Sequence, residues 1–212
     1  MQNDIYTLNK EHEKAASLIY NQVMLSFKKK FILTISGEVA TGKCETAQLL
    51  ARKFKENNLS CKIIHLDDFY ITLPSERTEW RKQKGIDSVG VDEINWNLLN
   101  RILRLFKTGQ KATLPSVDLI TNQVDEVNTD FANIDIVIVA GLYALKAEKS
   151  NLNIFIEMSY TETMAQQKAE GKEVIDEFRM QVLEQEHKAI KAIKPLADYY
   201  IDFASNPEVF YI

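Results

Sequence analysis

The segment Gly37-Glu38-Val39-Ala40-Thr41-Gly42-Lys43-Cys44 has the spacing G-x-x-x-x-G-K of a phosphate-binding loop, with Cys44 where a Ser or Thr hydroxyl is the rule. The chemistry of such a loop is electrostatic. Its glycines let the backbone curl until successive N–H groups face one anion, and the N-terminus of the following helix adds partial positive charge. Lys43 is placed to reach the β- and γ-phosphates of a nucleotide. Gly37, Glu38, Val39, Ala40, Thr41, Gly42, Lys43, Cys44 and Glu45 form the candidate nucleotide-binding set. Further on, Asp67 and Asp68 close the apolar run that ends at His65-Leu66. A carboxylate there faces the phosphates and can orient Mg²⁺ through water or take a proton from an attacking hydroxyl. The alternative is a solvated turn at a strand end, a reading that suits Asp68 better than Asp67. Lys43 and Asp67 are therefore the candidate catalytic pair, with ATP and Mg²⁺ as implied cofactors.

These groups need a strand, a tight turn and a helix to hold them. Phe31–Ser36 is apolar and β-branched, and Glu45–Phe54 has helical spacing, so the loop has the setting its chemistry requires. An amphipathic helix is expected before it, over about 8–29. Further strands are expected at 61–66, 134–139, 152–157 and 198–203, and helices at about 92–107 and 160–192, the latter interrupted at Gly171. Residues 71–91 carry Pro74, Gly85 and Gly90 among many charges and read as a long loop, with Arg77 and Arg81 solvated beside Trp80. Residues 112–131 read as a β-hairpin arm. Strands alternating with helices predict a doubly wound, mostly parallel five-stranded α/β sheet, which binds ligands at the carboxyl ends of its strands.

Composition narrows the class. The 212 residues fit one domain spanning 1–212, and 45% hydrophobic with 26% charged content is that of a globular chain. A net charge of −4 argues against a nucleic-acid polymer as partner. The one cationic run, Lys28-Lys29-Lys30, reads as the basic end of the first helix. Two cysteines give no disulfide framework and suit a reducing cytoplasm. Met1-Gln2-Asn3-Asp4 is no signal sequence, and no apolar run reaches membrane-spanning length, so a cytoplasmic chain without a membrane partner is expected. His65 reads as a sheet-end residue and His187 as a solvated one on a polar helix face.

The loop, His65-Leu66-Asp67-Asp68-Phe69-Tyr70, Leu114-Pro115-x-x-Asp118, Ala140-Gly141-Leu142-Tyr143 and Ala197-Asp198-Tyr199-Tyr200-Ile201 occur in that order. In this order they resemble the uridine kinase and phosphoribulokinase family of P-loop small-molecule kinases, over about 31–203. The resemblance implies a P-loop kinase fold with a lid at about 160–180. It also implies ATP-dependent transfer of phosphate to a hydroxyl. Asp67 takes the place of the catalytic carboxylate. Tyr70, Asp87, Asp118 and Arg179 take places in the substrate pocket. Relatives in the family often form homo-oligomers, which extends that expectation to this chain.

Three departures bear on activity. The hydroxyl that ligates Mg²⁺ in the family is Cys44 here, and Ala140 stands where the family has a Glu near the ion. Asp67 and Cys44 are left as the metal-binding candidates, and a thiol suits a hard cation poorly. The lid stretch 164–172 has Lys168 and Lys172 in place of several Arg. The hairpin lacks the family's aromatics and His, so some other hydroxyl-bearing small molecule, a nucleoside or a sugar or hydroxy acid, is favoured over uridine itself. The competing reading is a non-catalytic, nucleotide-binding relic of the kinase fold.

Overall fold

The computed structural model describes residues 9–171, 173–203 and 208–211. The chain runs α1 (Lys10–Ser26), β1 (Phe31–Gly37), α2 (Lys43–Glu56), β2 (Cys61–His65), α3 (Pro74–Lys84), α4 (Trp96–Lys107), β3 (Lys111–Asp118), β4 (Gln123–Asp130), β5 (Ile136–Ala140), β6 (Leu152–Glu157), α5 (Met164–Glu170), α6 (Glu177–Ile193), β7 (Tyr199–Asp202) and β8 (Glu208–Tyr211). The main sheet has the order β2-β5-β1-β6-β7-β8. The first five strands are parallel, as the alternation predicts, and β8 adds an antiparallel edge.

β1 and β5 are buried along their whole length, which is why both read as continuous apolar runs. Alternate side chains feed two cores. Leu33, Ile35, Ile136 and Ile138 pack under α1 and α2, together with Ala15, Ile19, Leu50 and Phe54. Ile32, Val137 and Val139 pack on the opposite face with Leu99, Leu103, Phe106, Ile190 and Ile193 from α4 and α6. Each fully buried side chain of this size stabilises the fold by about 1.5–3 kcal/mol relative to exposure. The three-layer arrangement fixes the carboxyl ends of β1, β2 and β5 side by side, with Ile35 and His65 both in register with Ala140.

Two expectations are corrected. Residues 71–91 are not a loop: α3 starts with Pro74, whose fixed φ suits a first helical position, and ends at Gly85, with φ 88°. Charge density masked it, because most of α3 faces solvent. The interruption expected at Gly171 is present: α5 ends at Glu170, Gly171 takes the left-handed region at φ 60°, and α6 begins at Glu177. The lysine run does not end α1, which stops at Ser26. Lys30 instead donates to the carbonyls of Phe131, Ala132 and Ile134 and ties the start of β1 to the segment before β5. Of the terminal features, Met1–Asp4 and Lys172 lie outside the described residues.

The hairpin arm forms as expected. β3 and β4 make a separate two-stranded sheet. Asp68 holds it to the body, its Oδ1 accepting from the Val117 amide at 3.0 Å.

Candidate active site

β1 delivers the chain into the loop at Gly37, and α2 takes it away from Lys43. Gly42 has φ 77°, and an added Cβ would lie 2.3 Å from His12 Nε2 on α1. Both its conformation and the imidazole against it therefore require glycine. Ala40 also adopts a positive φ, 56°, a strained choice for a residue with a Cβ and one that marks a curled backbone. The first-turn amides of α2 have no intrahelical acceptor and face the loop's concavity.

Lys43 is buried in that concavity, with Nζ donating to the Glu38 carbonyl and to Thr41 Oγ1. Burial pulls its pKa below the usual lysine value, while Cys44, Asp67, Glu45 and Glu38 oppose the shift. An anion arriving in the loop would give this ammonium a charged partner beyond the Glu38 carbonyl and Thr41 hydroxyl. Asp67 is exposed, in the 3-10 turn Leu66–Phe69 that follows β2, and its field reaches Lys43. Asp68, beside it, is half-buried and bonded to the arm, and burial raises its pKa. The two adjacent carboxylates thus differ in setting: Asp67 is exposed and Asp68 anchors the hairpin.

The loop is fastened from the side of α6. Glu38 accepts from the Tyr160 amide at 2.7 Å and pairs with His187 Nδ1 at 2.6 Å. Thr163 Oγ1 donates to the Val39 carbonyl at 2.8 Å. His187 is therefore a half-buried partner of the loop, not a solvated residue. Its neighbours Glu184 and Lys188 face water and hid it in a polar stretch.

A buried charge cluster borders Tyr70. Arg81 makes two hydrogen bonds to Glu93, at 2.7 and 2.9 Å, and a third to Glu186 at 3.1 Å. Glu186 also pairs with Arg179 at 3.3 Å, and Arg179 reaches Glu173 as well. Burial raises the pKa of Glu186 against the pull of Arg179 and Arg81. Burial works against the Arg81 charge, but the Glu93 hydrogen bond and the nearby carboxylates outweigh it and its pKa rises. The Arg77 guanidinium lies 3.6 Å from the centre of the Tyr70 ring. Burial raises the pKa of the Tyr70 and Tyr143 hydroxyls, with Glu186 adding to both shifts. Arg81 is thus a buried structural ion, correcting the solvated reading.

Of the substrate-site candidates, Tyr70 and Arg179 come together through this cluster. Asp87 stays exposed in a 3-10 turn after α3. Asp118 accepts from the amides of Ile120 and Thr121, so it caps the hairpin turn, and those bonds lower its pKa. Glu93 and Glu186 were not legible as site residues. A signal existed for Glu186: it falls on the buried stripe Val182, Leu183, Glu186, Ile190 of α6.

The donor set fits Mg²⁺ poorly. At the loop it offers the Cys44 sulfur, with His65 Nδ1 3.8 Å away, and Ala140 is a buried methyl in the core. Among the described residues no group of three His, Cys, Asp or Glu could hold a metal ion. Among them, too, no helix is long and apolar enough to cross a membrane.

The family model described as Phosphoribulokinase / Uridine kinase family matches residues 32–197. Uridine kinase-like protein 5 of Arabidopsis thaliana is 22% identical over 82% of this chain and 37% of its own length. A uridine kinase of Ureaplasma parvum serovar 3 is 23% identical over 63% of this chain and 65% of its own. The chain thus spans less than two thirds of each of these relatives. Among solved structures, a possible uridine kinase from Bacillus stearothermophilus superposes with a TM-score of 0.65 at 18% identity, covering 90% of this chain and 98% of that one. D-glycerate 3-kinase from Cryptococcus neoformans gives 0.60 at 14% identity, over 95% and 98%. Phosphoribulokinase from Rhodobacter spheroides gives 0.63 at 13%, over 81% and 69%. At these identities the structural likeness speaks to the fold.

Proposed function

The chain belongs to the Phosphoribulokinase / Uridine kinase family, and from that premise we propose that it transfers the γ-phosphoryl group of ATP to a hydroxyl of a small molecule. The observation that carries this reading is the buried Lys43 in a curled loop, with the exposed Asp67 acting on it across the strand ends. In this reading the loop amides and Lys43 hold the β- and γ-phosphates and neutralise charge as it shifts to the leaving oxygen. Asp67 orients the acceptor hydroxyl and accepts its proton, while the hydroxyl oxygen bonds to the γ-phosphorus and the bond to ADP breaks. The acceptor side is bounded by Tyr70, Arg77 and the Arg81–Glu93–Glu186–Arg179 cluster. Its fixed charges favour a hydroxylated, polar acceptor, a sugar or hydroxy acid, over a stacked nucleobase.

A second reading, nucleotide binding without turnover, is favoured by the thiol at Cys44, the methyl at Ala140 and the exposed, arginine-free α5. One experiment separates the two. ADP release is followed across nucleosides, sugars, glycerate and pantothenate, with Lys43→Ala as the blank. Release that depends on one acceptor and is lost in the blank supports the kinase. ATP binding without release on any acceptor supports the second reading.

A further inference from the structure

Arg77 and Arg81 stand one turn apart on α3, at the i,i+4 spacing that puts two side chains on one face. Arg81 is answered by Glu93 and Glu186. Arg77 is not: among the described residues no carboxylate pairs with it. On its own helix, Glu76 and Glu79 are at i−1 and i+2, not at the i±3 or i±4 positions that would face it. The hydrogen bond it does make, from a terminal nitrogen to the Thr72 carbonyl, is long at 3.4 Å. Its Nε is buried without an acceptor.

The guanidinium is nevertheless held in place. It lies 3.6 Å from the centre of the Tyr70 ring, whose face attracts a cation and leaves the in-plane N–H donors free to bond elsewhere. Those donors form a planar fork that matches a carboxylate or a phosphate. Tyr70 also relates this charge to the chemistry. Its hydroxyl has a pKa raised by burial, then by Glu186 and Asp67, while Arg77 pulls it down, so it stands in the fields of both Asp67 and Arg77. Within reach of that hydroxyl's field, Tyr143 Oη is buried and has no hydrogen-bond partner. Neither has the buried Oγ1 of Thr72, the residue whose carbonyl Arg77 touches.

We propose that Arg77 binds an anionic group of the acceptor, a carboxylate or a phosphate, while the acceptor's hydroxyl meets Asp67, so that the chain acts on hydroxy acids or sugar phosphates in preference to neutral sugars and nucleosides. The proposal rests on the kinase reading above and narrows its substrate class. Arg81, one turn further on, is already neutralised by Glu93 and Glu186 and sets no such preference.

Matched acceptors test this: glycerate against glycerol, and ribose 5-phosphate against ribose, each followed by ADP release with Mg-ATP. The anionic member of at least one pair should have a kcat/KM about tenfold or more above its neutral partner, the scale of a hydrogen-bonded charge. The pair that shows the gap tells carboxylate from phosphate. Arg77→Gln should raise KM for that acceptor about tenfold or more, change kcat less, and close the gap within the pair. Arg77→Lys should recover only part, since the charge remains and the fork is lost. Calorimetric binding of the same acceptors without ATP gives a readout independent of turnover. Binding lost in Arg77→Gln and kept in Lys43→Ala upholds the proposal even where no acceptor releases ADP. The reverse pattern places the anion in the phosphate loop and overturns it. Neutral members used as well as anionic ones overturn the proposal and leave the kinase reading standing. No binding and no turnover of either anion also overturns it, and the wider acceptor panel above then decides the kinase reading on its own.

Discussion

The Glu38 carboxylate meets His187 Nδ1 at 2.6 Å, joining the second residue of the phosphate loop to α6 across 149 positions of sequence. The other oxygen of Glu38 takes the Tyr160 amide, so one side chain fastens the loop to two later segments. Glu38→Ala should therefore loosen the loop as well as the fold. In a double-mutant cycle with His187→Ala, urea midpoints should reveal a coupling of about 1–2 kcal/mol. The apparent Kd for ATP should rise with either substitution. Additive single effects would show that the contact carries no energy of its own.

Lys43 allows a prediction of opposite sign for stability and binding. Its folded pKa lies below the ordinary 10.5, so its stabilising contribution is full only above that value and is lost as pH falls through the folded pKa. Wherever it is charged, the group is therefore a burden on the empty fold. Lys43→Met should raise the melting temperature of the nucleotide-free protein by about 2 °C or more and abolish the shift that ATP produces. A lowered melting temperature would contradict the pKa argument; a surviving ATP shift would contradict the loop's role.

Arg81 answers two buried carboxylates, so its removal leaves Glu93 without its ion pair and Glu186 with Arg179 alone. Arg81→Met should cost about 3–5 kcal/mol in denaturant unfolding. Arg81→Lys should recover only part of this, because an ammonium cannot reproduce the two-bond contact with Glu93. A loss below about 1 kcal/mol for Arg81→Met would mean that water already serves Glu93 and Glu186.

The adjacent aspartates should separate by phenotype. Asp67→Asn should lower turnover about 10²–10⁴-fold while ATP still stabilises the protein. Asp68→Asn should leave chemistry less affected and weaken the hold on Val117, seen as faster amide exchange in β3. Equal kinetic losses would dissolve the distinction.

Much of the fold was legible because its signals are local. The buried runs of β1 and β5, the loop motif and the turn after β2 each announce themselves within a few residues. What was missed depends on pairing at a distance. Arg81 and His187 sit among exposed charges, and only the fold brings them to Glu93 and Glu38. α3 was hidden because a helix with a solvated face lacks the apolar stripe that identifies the others. Asp87 and Asp118 both match a family pattern; the first lies in a solvated turn and the second caps its own hairpin.

The separate sheet of the arm has a consequence for its stability. A two-stranded hairpin is at best marginal alone, and nearly every residue of β4 is exposed. The arm therefore depends on the buried face of Ala112, Leu114 and Val117 and on side-chain tethers such as Asp68 to the Val117 amide and Asn122 to the Ser75 amide. Ala112 and Leu114 seat it on the core beneath α4, so the stability of the arm is borrowed from that face and not from its own two strands. The strand ends that carry the phosphate loop draw on no such loan: β1 and β5 are buried along their whole length.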